Sequence, residues 1–383
     1  MVELRGRPPI LITHLSLTDF RNYSSLELSL PRGGVVLVGD NAQGKSNLME
    51  AAYLLSIMRS HRAGVERELI RLGEEGERPW ARVVGSAQGE AGGVEIEVLL
   101  RRTAGEAVSK RIRVNGVPRR AAEVVGVLAG VMFSAEDIGL VSGAPALRRR
   151  YLDVTSCQLS AHYLGSLQRY QRVLTQRNGL LKMAALGRAA TDELEFWDHK
   201  MVTEGGYIRQ HRLALVQALN GLAQGIHDGL THGEEALEMD YRPNPSDPSP
   251  ESFARALTEG RGRDMALGMT LSGPHRDDLR FMVNSMDAGI YGSRGQQRTV
   301  ALSLRLAEAG FLRKERGQPP VLLLDDVLSE LDGLRSEQLL ASLAPYDQWL
   351  LTTADRSQVA SPYLEESTVL HINGGTVGQP LDG

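Results

Sequence analysis

The stretch VVLVGDNAQGKSN, Val35 to Asn47, sets the spacing G-x-x-x-x-G-K-S between an apolar run and a segment carrying Leu48, Ala52 and Leu55 at helical intervals. Glycines at both ends let the backbone curl tightly, and the N–H groups at a helix start face outward with the positive end of the helix dipole. A cradle made of Gly39, Asp40, Asn41, Ala42, Gln43, Gly44, Lys45, Ser46 and Asn47 would wrap the phosphates of a nucleotide. Lys45 would reach the β and γ oxygens, and Ser46 would ligate Mg²⁺.

A second stretch completes that chemistry. In PPVLLLDDVLSELD, Pro319 to Asp332, an apolar strand ends in two acids, which delivers a carboxylate beside the bound phosphates. Asp325 should hold Mg²⁺, and Asp326 should polarise an attacking water. With Lys45 they form the expected catalytic set, and ATP with Mg²⁺ the expected cofactors.

A third stretch, SRGQQ, lies shortly before the acids. Ser293 occupies an N-cap position, and Arg294, Gly295 and Gln296 fall in the first turn of a run that is apolar at Val300, Leu304 and Ala307. This too is an anion-ready helix start. ATP-binding-cassette-type ATPases show the same order of phosphate loop, helical insertion, serine-glycine-glutamine signature and acidic strand. The resemblance implies that Ser293, Gly295 and Gln296 meet the γ-phosphate held by a second copy, so that two chains close around two ATP molecules. Ser329 to Asp332, SELD, resembles the loop through which such dimers couple their sites. Arg21 and Asn22 follow a first strand that lies near the base or α-phosphate in related heads. Glu136 or Asp137, in FSAEDI, stands where a loop reports nucleotide state to the second lobe.

Elements must position these groups. The first third reads as β-branched runs broken by turns, from ILITHLSL to RIRVNG, with one helix after Gly44. From about Gly143 to Asp228 the pattern becomes helical: Leu164, Leu167 and Leu174, then Leu194, Trp197, Met201, Ile208, Leu215, Leu219, Leu222 and Ile226. That predicts a helical hairpin or short coiled coil, with Gly205-Gly206 breaking its second arm. RPNPSDPSPES reads as a surface loop, and the terminal NGGTVGQPLDG as loose. Buried strands alternating with helices then return. The expected fold is α/β, a two-lobed ATP-binding-cassette-like P-loop ATPase head with a helical second lobe. Residues 1–135 and 316–383 form the first lobe, and 136–315 the second.

Composition sets limits. The 383 residues carry a net charge of −4, so no global basic field announces nucleic acid. Only five of the 43 Lys and Arg residues are lysine, and the basic side chains bunch at 101–102, 110–113, 119–120 and 148–150. The lone Cys157 rules out an internal disulfide framework, reads as a small buried thiol and suits a reducing, cytoplasmic setting. No run reaches membrane-spanning length.

LSLTDFRNYSSLELSL, GDNAQGKSNLMEAAYLLS, SHR, VNG, MFSAEDIGLVSGAPALRRRYLD, LSGPHRDDL, SRGQQR and LLLDDVLSELD resemble, in sequence and order, the RecF family of DNA replication and repair proteins. The resemblance spans essentially the whole chain. It implies a cytoplasmic, slow, DNA-stimulated ATPase that dimerises on ATP and binds single-stranded, duplex and gapped DNA. It also implies partnership with RecO and RecR in placing RecA. Three positions depart from the cassette pattern: Thr352 and Thr353 stand where many relatives have histidine, Asp326 where many have Glu, and Arg294 where a small or amide residue is usual. Arg59 and Arg62 would face DNA or complement the helix end. His275, in GPHRDD, would join a polar cluster bridging the lobes rather than a metal site. A transporter motor subunit and a small-molecule kinase are the alternatives; the first leaves the β-rich third and large insertion unexplained, the second SRGQQ and SELD.

Overall fold

A computed structural model describes residues 11–71, 79–89, 92–103, 107–186 and 193–378. The chain divides into two compact units, Met1–Asp137 with Arg305–Gly383, and Ile138–Leu304.

The first unit holds two sheets. One is antiparallel, in the order Tyr23–Ser29, Leu11–Phe20, Trp80–Gly89, Gly92–Arg102, Val108–Val114, Val117–Arg119. The other runs Thr376–Gly378, Thr368–Asn373, Gly33–Val38, Gln348–Thr353, Val321–Asp325, Gly130–Ser134, and all its pairs except the first are parallel. The central parallel strands are mainly apolar because little of either face meets water: all six residues of Gln348–Thr353 are buried, its Gln and Thr side chains included. The helix Lys45–Ile57 touches strands of both sheets, so it is buried nearly all round and shows little amphipathic pattern. Gln348 ties the sheets together; its side chain accepts from the Ile12 amide and donates to the Ile12 carbonyl at 2.8 Å. Asn373 to Gly378, expected to be loose, instead closes a hairpin; residues 379–383 of that stretch lie outside the described residues, as does Ile10 of the first expected strand.

The second unit carries the helices Pro145–Leu159, Ala161–Ala185, Glu193–Leu230 and Pro250–Leu267, and a three-stranded antiparallel sheet, Met286–Asp287, Asp278–Val283, Leu237–Arg242. Ala161–Ala185 and Glu193–Leu230 pack on each other as the expected hairpin. The expected break at Gly205-Gly206 is absent: the helix runs unbroken. A Cβ at Gly205 would meet Phe253 at 2.7 Å and Tyr170 at 3.0 Å, so this glycine serves close packing and not a kink. The apolar stripe is also only part of the buried face. Leu164 and Leu167 are half-buried, and Tyr163, Ser166, Tyr170 and Arg177 go inside with Leu174.

Buried charge orders this interior. Arg177, fully buried, donates to Asp198 at 2.6 Å and Asp264 at 2.7 Å. Arg212 pairs with Asp153 and Asp277, and Asp277 also accepts from Tyr241 Oη and the Asn244 amide. Arg148 forks onto Asp278, and Arg149 donates to the Asp277 carbonyl. APALRRRYLD and GPHRDD therefore meet inside one unit. The His275 cluster does not have the expected bridging role: its ring bonds Tyr170 Oη at 2.6 Å and the Thr270 carbonyl at 3.0 Å, both within Ile138–Leu304. Burial pushes its pKa down to about 4, so the ring is neutral with Nε2–H on the carbonyl. The unit boundary differs from the expected 315/316 as well. Arg305 ion-pairs with Asp137 at 2.6 Å and draws the second half of the helix Arg294–Arg316 into the first unit.

Removing one member of such a network strands the others in low dielectric. Asp277→Ala is expected to lower the stability of the unit that holds it by about 3–5 kcal/mol. Urea unfolding followed by far-ultraviolet circular dichroism measures this, and a loss below about 1 kcal/mol would show the network to be dispensable.

Candidate functional site

The phosphate loop follows the strand Gly33–Val38 and opens the helix Lys45–Ile57. A Cβ at Gly39 would lie 2.3 Å from the Ile372 carbonyl oxygen, so only glycine lets the loop leave its strand here. The helix has no side-chain cap and no acid in its first turn, which leaves its N–H groups to an anion. Lys45 folds back over the loop, its Nζ donating to the Gly39 carbonyl at 2.5 Å and the Asp40 carbonyl at 2.9 Å. Burial pulls its pKa below the usual lysine value, against the opposing pull of Asp326, Asp325 and Asp40. A phosphate would oppose that shift by favouring the charged form.

Asp325 ends the strand Val321–Asp325, and its Oδ1 accepts from Ser46 Oγ and from Thr352 Oγ1, each at 2.8 Å. The pairing of hydroxyl and carboxylate expected for a cation site is thus assembled from two segments 279 residues apart. Among the described residues no group of three or more His, Cys, Asp or Glu could hold a metal ion. The donor set fits Mg²⁺, which takes few protein ligands and fills its shell with phosphate oxygens and water. Asp326 sits at φ 52°, a left-handed conformation unusual for a non-glycine residue and typical of strained functional positions. Its amide donates to Thr352 Oγ1 at 2.9 Å. Thr352, one of the two hydroxyls that stand where many relatives have histidine, thus bonds the Asp325 carboxylate and the Asp326 backbone, and Thr353 bonds Asp355 and Gln358. Ser329 Oγ donates to the Asp326 carbonyl, and Asp332 caps the helix Gly333–Ser342. Of the two acids proposed for the reporting loop, Asp137 is built in: it accepts from the Ser134 amide and pairs with Arg305, while Glu136 is exposed.

The wall beside the loop comes from a two-residue hairpin turn. Phe20 pairs with Tyr23, so Arg21 and Asn22 form its tip. Asn22 Nδ2 donates to the Gln43 carbonyl at 3.1 Å, Tyr23 Oη to the Gly44 carbonyl at 3.0 Å, and Asn47 Nδ2 to Asn22 Oδ1 at 2.7 Å. Arg21 lies next to this brace, but its guanidinium forks onto Glu50, with both bonds at 2.9 Å, and also donates to the Glu68 carbonyl. Glu50, fully buried, also takes Arg62 at 3.0 Å and Ser60. Burial alone would raise its pKa; Arg21, Ser60 and Arg62 overcome this and hold it below the usual range. Arg62, expected to face DNA or complement the helix end, is therefore occupied by Glu50 and Asn47, whereas Arg59 remains exposed. Glu50 and Tyr23 escaped the sequence reading; an acid inside an otherwise apolar helix was the available signal for Glu50.

The other basic clusters are engaged only in part, with Arg101, Arg102, Arg111 and Arg120 exposed. Lys110 donates to Glu66 and to the Met58 carbonyl, Arg113 to Glu97, and Arg119 pairs with Glu123. Arg59, Arg67, Lys110 and Glu66 line a cavity of about 530 Å³ beyond the end of the phosphate-loop helix.

The signature residues take the predicted form. Ser293 Oγ accepts from the Gln296 amide at 3.2 Å, while Gln296 Oε1 accepts from the Ser293 amide at 2.9 Å, a reciprocal cap. Gln296 Nε2 donates to Glu235 at 2.8 Å, and Gln297 Nε2 to the Ala288 carbonyl. Ser293, Arg294 and Gly295 are exposed.

A family model described as RecF/RecN/SMC N terminal domain matches residues 11–370. The chain is similar to the DNA replication and repair protein RecF of Herpetosiphon aurantiacus, 43% identical with 96% of this chain and 99% of the relative covered. It is likewise similar to that of Chloroflexus aurantiacus, at 40% with 96% and 99% covered. Among solved structures, the recombination mediator protein RecF-ATPrS in the RecFOR pathway superposes with a TM-score of 0.87 at 31% identity, covering 98% of this chain and 100% of the other. The Smc head domain derived from Pyrococcus furiosus shares the fold, with a TM-score of 0.55 at 16% identity over 96% and 95% of the two chains.

Glu50→Ala should release Arg21 and Arg62 and slacken the brace on the phosphate loop. The expected result is a loss of about 2–4 kcal/mol of stability together with ATP binding weakened about tenfold. Nucleotide titration of the folded variant tests it; wild-type affinity would mean that the brace is not needed to shape the loop.

Proposed function

The chain belongs to the RecF family of DNA replication and repair proteins, and on that premise we propose that it is an ATP-gated DNA-binding ATPase. The contact between Ser46 Oγ and Asp325 Oδ1 at 2.8 Å is the observation that carries this reading, because it unites the phosphate loop and the acidic strand in one cation-binding pair. Lys45 would leave the Gly39 and Asp40 carbonyls for the β and γ oxygens of ATP. Gly39, Asp40, Asn41, Ala42, Gln43, Gly44 and Asn47 would line the phosphates, with Asn22 holding the loop in shape. Arg21 would act through Glu50 and not on the nucleotide directly. Mg²⁺, held by Ser46 and Asp325, would neutralise phosphate charge as it builds up. Asp326 would orient and polarise the attacking water, and its short side chain suits slow hydrolysis.

A second copy would supply Ser293, Gly295 and the first-turn N–H groups to the γ-phosphate, so ATP would act as the bridge of a homodimer. Met1–Asp137 with Arg305–Gly383 would serve as the ATPase lobe and Ile138–Leu304 as the signature-bearing lobe. Dimerisation would join two DNA-binding surfaces, hydrolysis would release them, and the protein would work with RecO and RecR to place RecA at gapped or junction DNA in the cytoplasm. Exposed basic residues such as Arg59 and Arg111 suit contacts to phosphates. The transporter reading is not favoured, since the family model and the RecF relatives span nearly the whole chain, including the parts outside the cassette motifs.

Lys45→Ala should abolish tight ATP binding in a folded protein. Asp326→Asn should retain ATP and Mg²⁺ binding, hydrolyse at least tenfold more slowly and accumulate as dimer; wild-type turnover in it would move the water-activating role elsewhere. DNA affinity should tighten with ATP and fall more steeply with salt, by about 0.9 of a counterion for each added phosphate contact on duplex DNA. Arg59→Ala with Arg111→Ala should flatten that slope. Equal slopes with and without ATP, in protein shown to dimerise, would refute assembly of the surface by nucleotide.

A further inference from the structure

The signature turn does not stand alone. Gln296 is used at both ends of its amide: Oε1 caps Ser293, and Nε2 donates to Glu235 Oε1 at 2.8 Å. Glu235 belongs to no motif; it sits between the helix Glu193–Leu230 and the strand Leu237–Arg242. Its other oxygen lies 3.2 Å from Nε2 of His227, a fully buried ring on that helix. Nδ1 of the same ring lies 3.0 Å from Ser303 Oγ, three turns along the signature helix. A carboxylate can only accept, so Nε2 carries the proton that ties the ring to Glu235. Ser303 Oγ also lies 2.8 Å from the Thr299 carbonyl, so the serine joins the ring to the backbone of the signature helix.

We propose that Glu235 is a positioning residue of the signature, fixed by His227 and fixing Gln296, so that the long hairpin helix sets the geometry of the γ-phosphate contact. The physical logic is restriction of rotamers. A free Gln296 side chain could leave the cap for solvent, freeing the Ser293 amide and letting the turn fray. Held from outside by a carboxylate, the amide keeps its Oε1 on Ser293. The serine hydroxyl and the N–H groups of the first turn then keep one orientation before any nucleotide arrives, and pre-organised donors bind a transition-state charge best. His227 anchors the same carboxylate to the helix Glu193–Leu230 and, through Ser303, to the signature helix itself. This proposal rests on the reading of the signature as a contact to ATP on a second copy.

The test uses full-length Glu235→Ala and Glu235→Gln proteins, each measured for ATP affinity as monomer, ATP-dependent dimerisation, kcat and KM. Glu235→Ala should bind ATP within about twofold of wild type, because the phosphate loop is untouched, and lose at least tenfold in dimer affinity and kcat. Glu235→Gln keeps a carbonyl for Gln296 and can offer its NH₂ to a neutral His227, so it should retain most of the activity. Mixing locates the defect. With Lys45→Ala, Glu235→Ala should regain up to about a quarter of wild-type turnover, since half of randomly paired dimers are mixed and each keeps one intact site. With Ser293→Arg it should regain none, since every composite site then has a damaged signature. Full turnover in Glu235→Ala, or equal recovery with both partners, would overturn the proposal. The reference mixture of Ser293→Arg with Lys45→Ala separates the two levels: if it regains nothing, the trans reading itself is at fault.

Discussion

One carboxylate oxygen organises the nucleotide-binding half of this protein. Oδ1 of Asp325 accepts a proton from Ser46 and another from Thr352, and these two hydroxyls come from the phosphate-loop helix and from the strand between the phosphate-loop and acidic strands. For both to reach one atom, three strands must end in register, and the pairing of Asp325 with Thr352 and of Thr352 with Leu37 gives that register. A one-residue slip would turn the carboxylate to the other face of the sheet. Burial of these strands also lowers the dielectric around Lys45, whose charged form an arriving phosphate would favour.

The motif-bearing parts of this arrangement were legible in the sequence because each is local. A glycine spacing, an apolar run ending in two acids and a capped helix start are all set within a dozen residues. The residues that hold the motifs in place were not legible, because their partners are distant in sequence. Glu50 joins Arg21 to Arg62 and Ser60, and no spacing rule links those positions. The order of motifs marks Thr352 and Thr353 only as standing where relatives have histidine; that Thr352 bonds the Asp325 carboxylate and the Asp326 amide depends on strand pairing and could not be read from it. Gly205 shows the same limit. Composition marks a glycine pair as a helix break, but tertiary packing against Phe253 and Tyr170 decides its role.

The helical unit follows a different physical rule. An apolar stripe predicts that two helices pack, and they do, but the stripe does not choose among the many ways in which they could. Arg177, Arg209 and Arg212 are buried, and each demands particular partners in fixed geometry. Such groups give little net stability relative to apolar replacements, yet a mispaired arrangement costs several kcal/mol. Selection among packings is thereby handed from the stripe to the charges, which explains why Arg148 of APALRRRYLD and Asp277 of GPHRDD are buried although both are charged.

That assignment also bears on how basic composition is read. Thirty-eight arginines in a chain of net charge −4 invite a search for a nucleic-acid footprint, and the densest run, Arg148 to Arg150, seems a natural place to look. Two of its three guanidiniums are turned inward to Asp278 and to the Asp277 backbone. Arg62, Lys110, Arg113 and Arg119 all have carboxylate partners. Where arginine is used inside, its planar fork satisfies a carboxylate with two bonds, as Arg148 does on Asp278, which lysine cannot do. A DNA-binding surface is therefore to be sought in basic residues that the interior leaves over, such as Arg59 and Arg111. On the proposal that ATP pairs two chains, two such sets would act on one duplex, and their phosphate contacts would add.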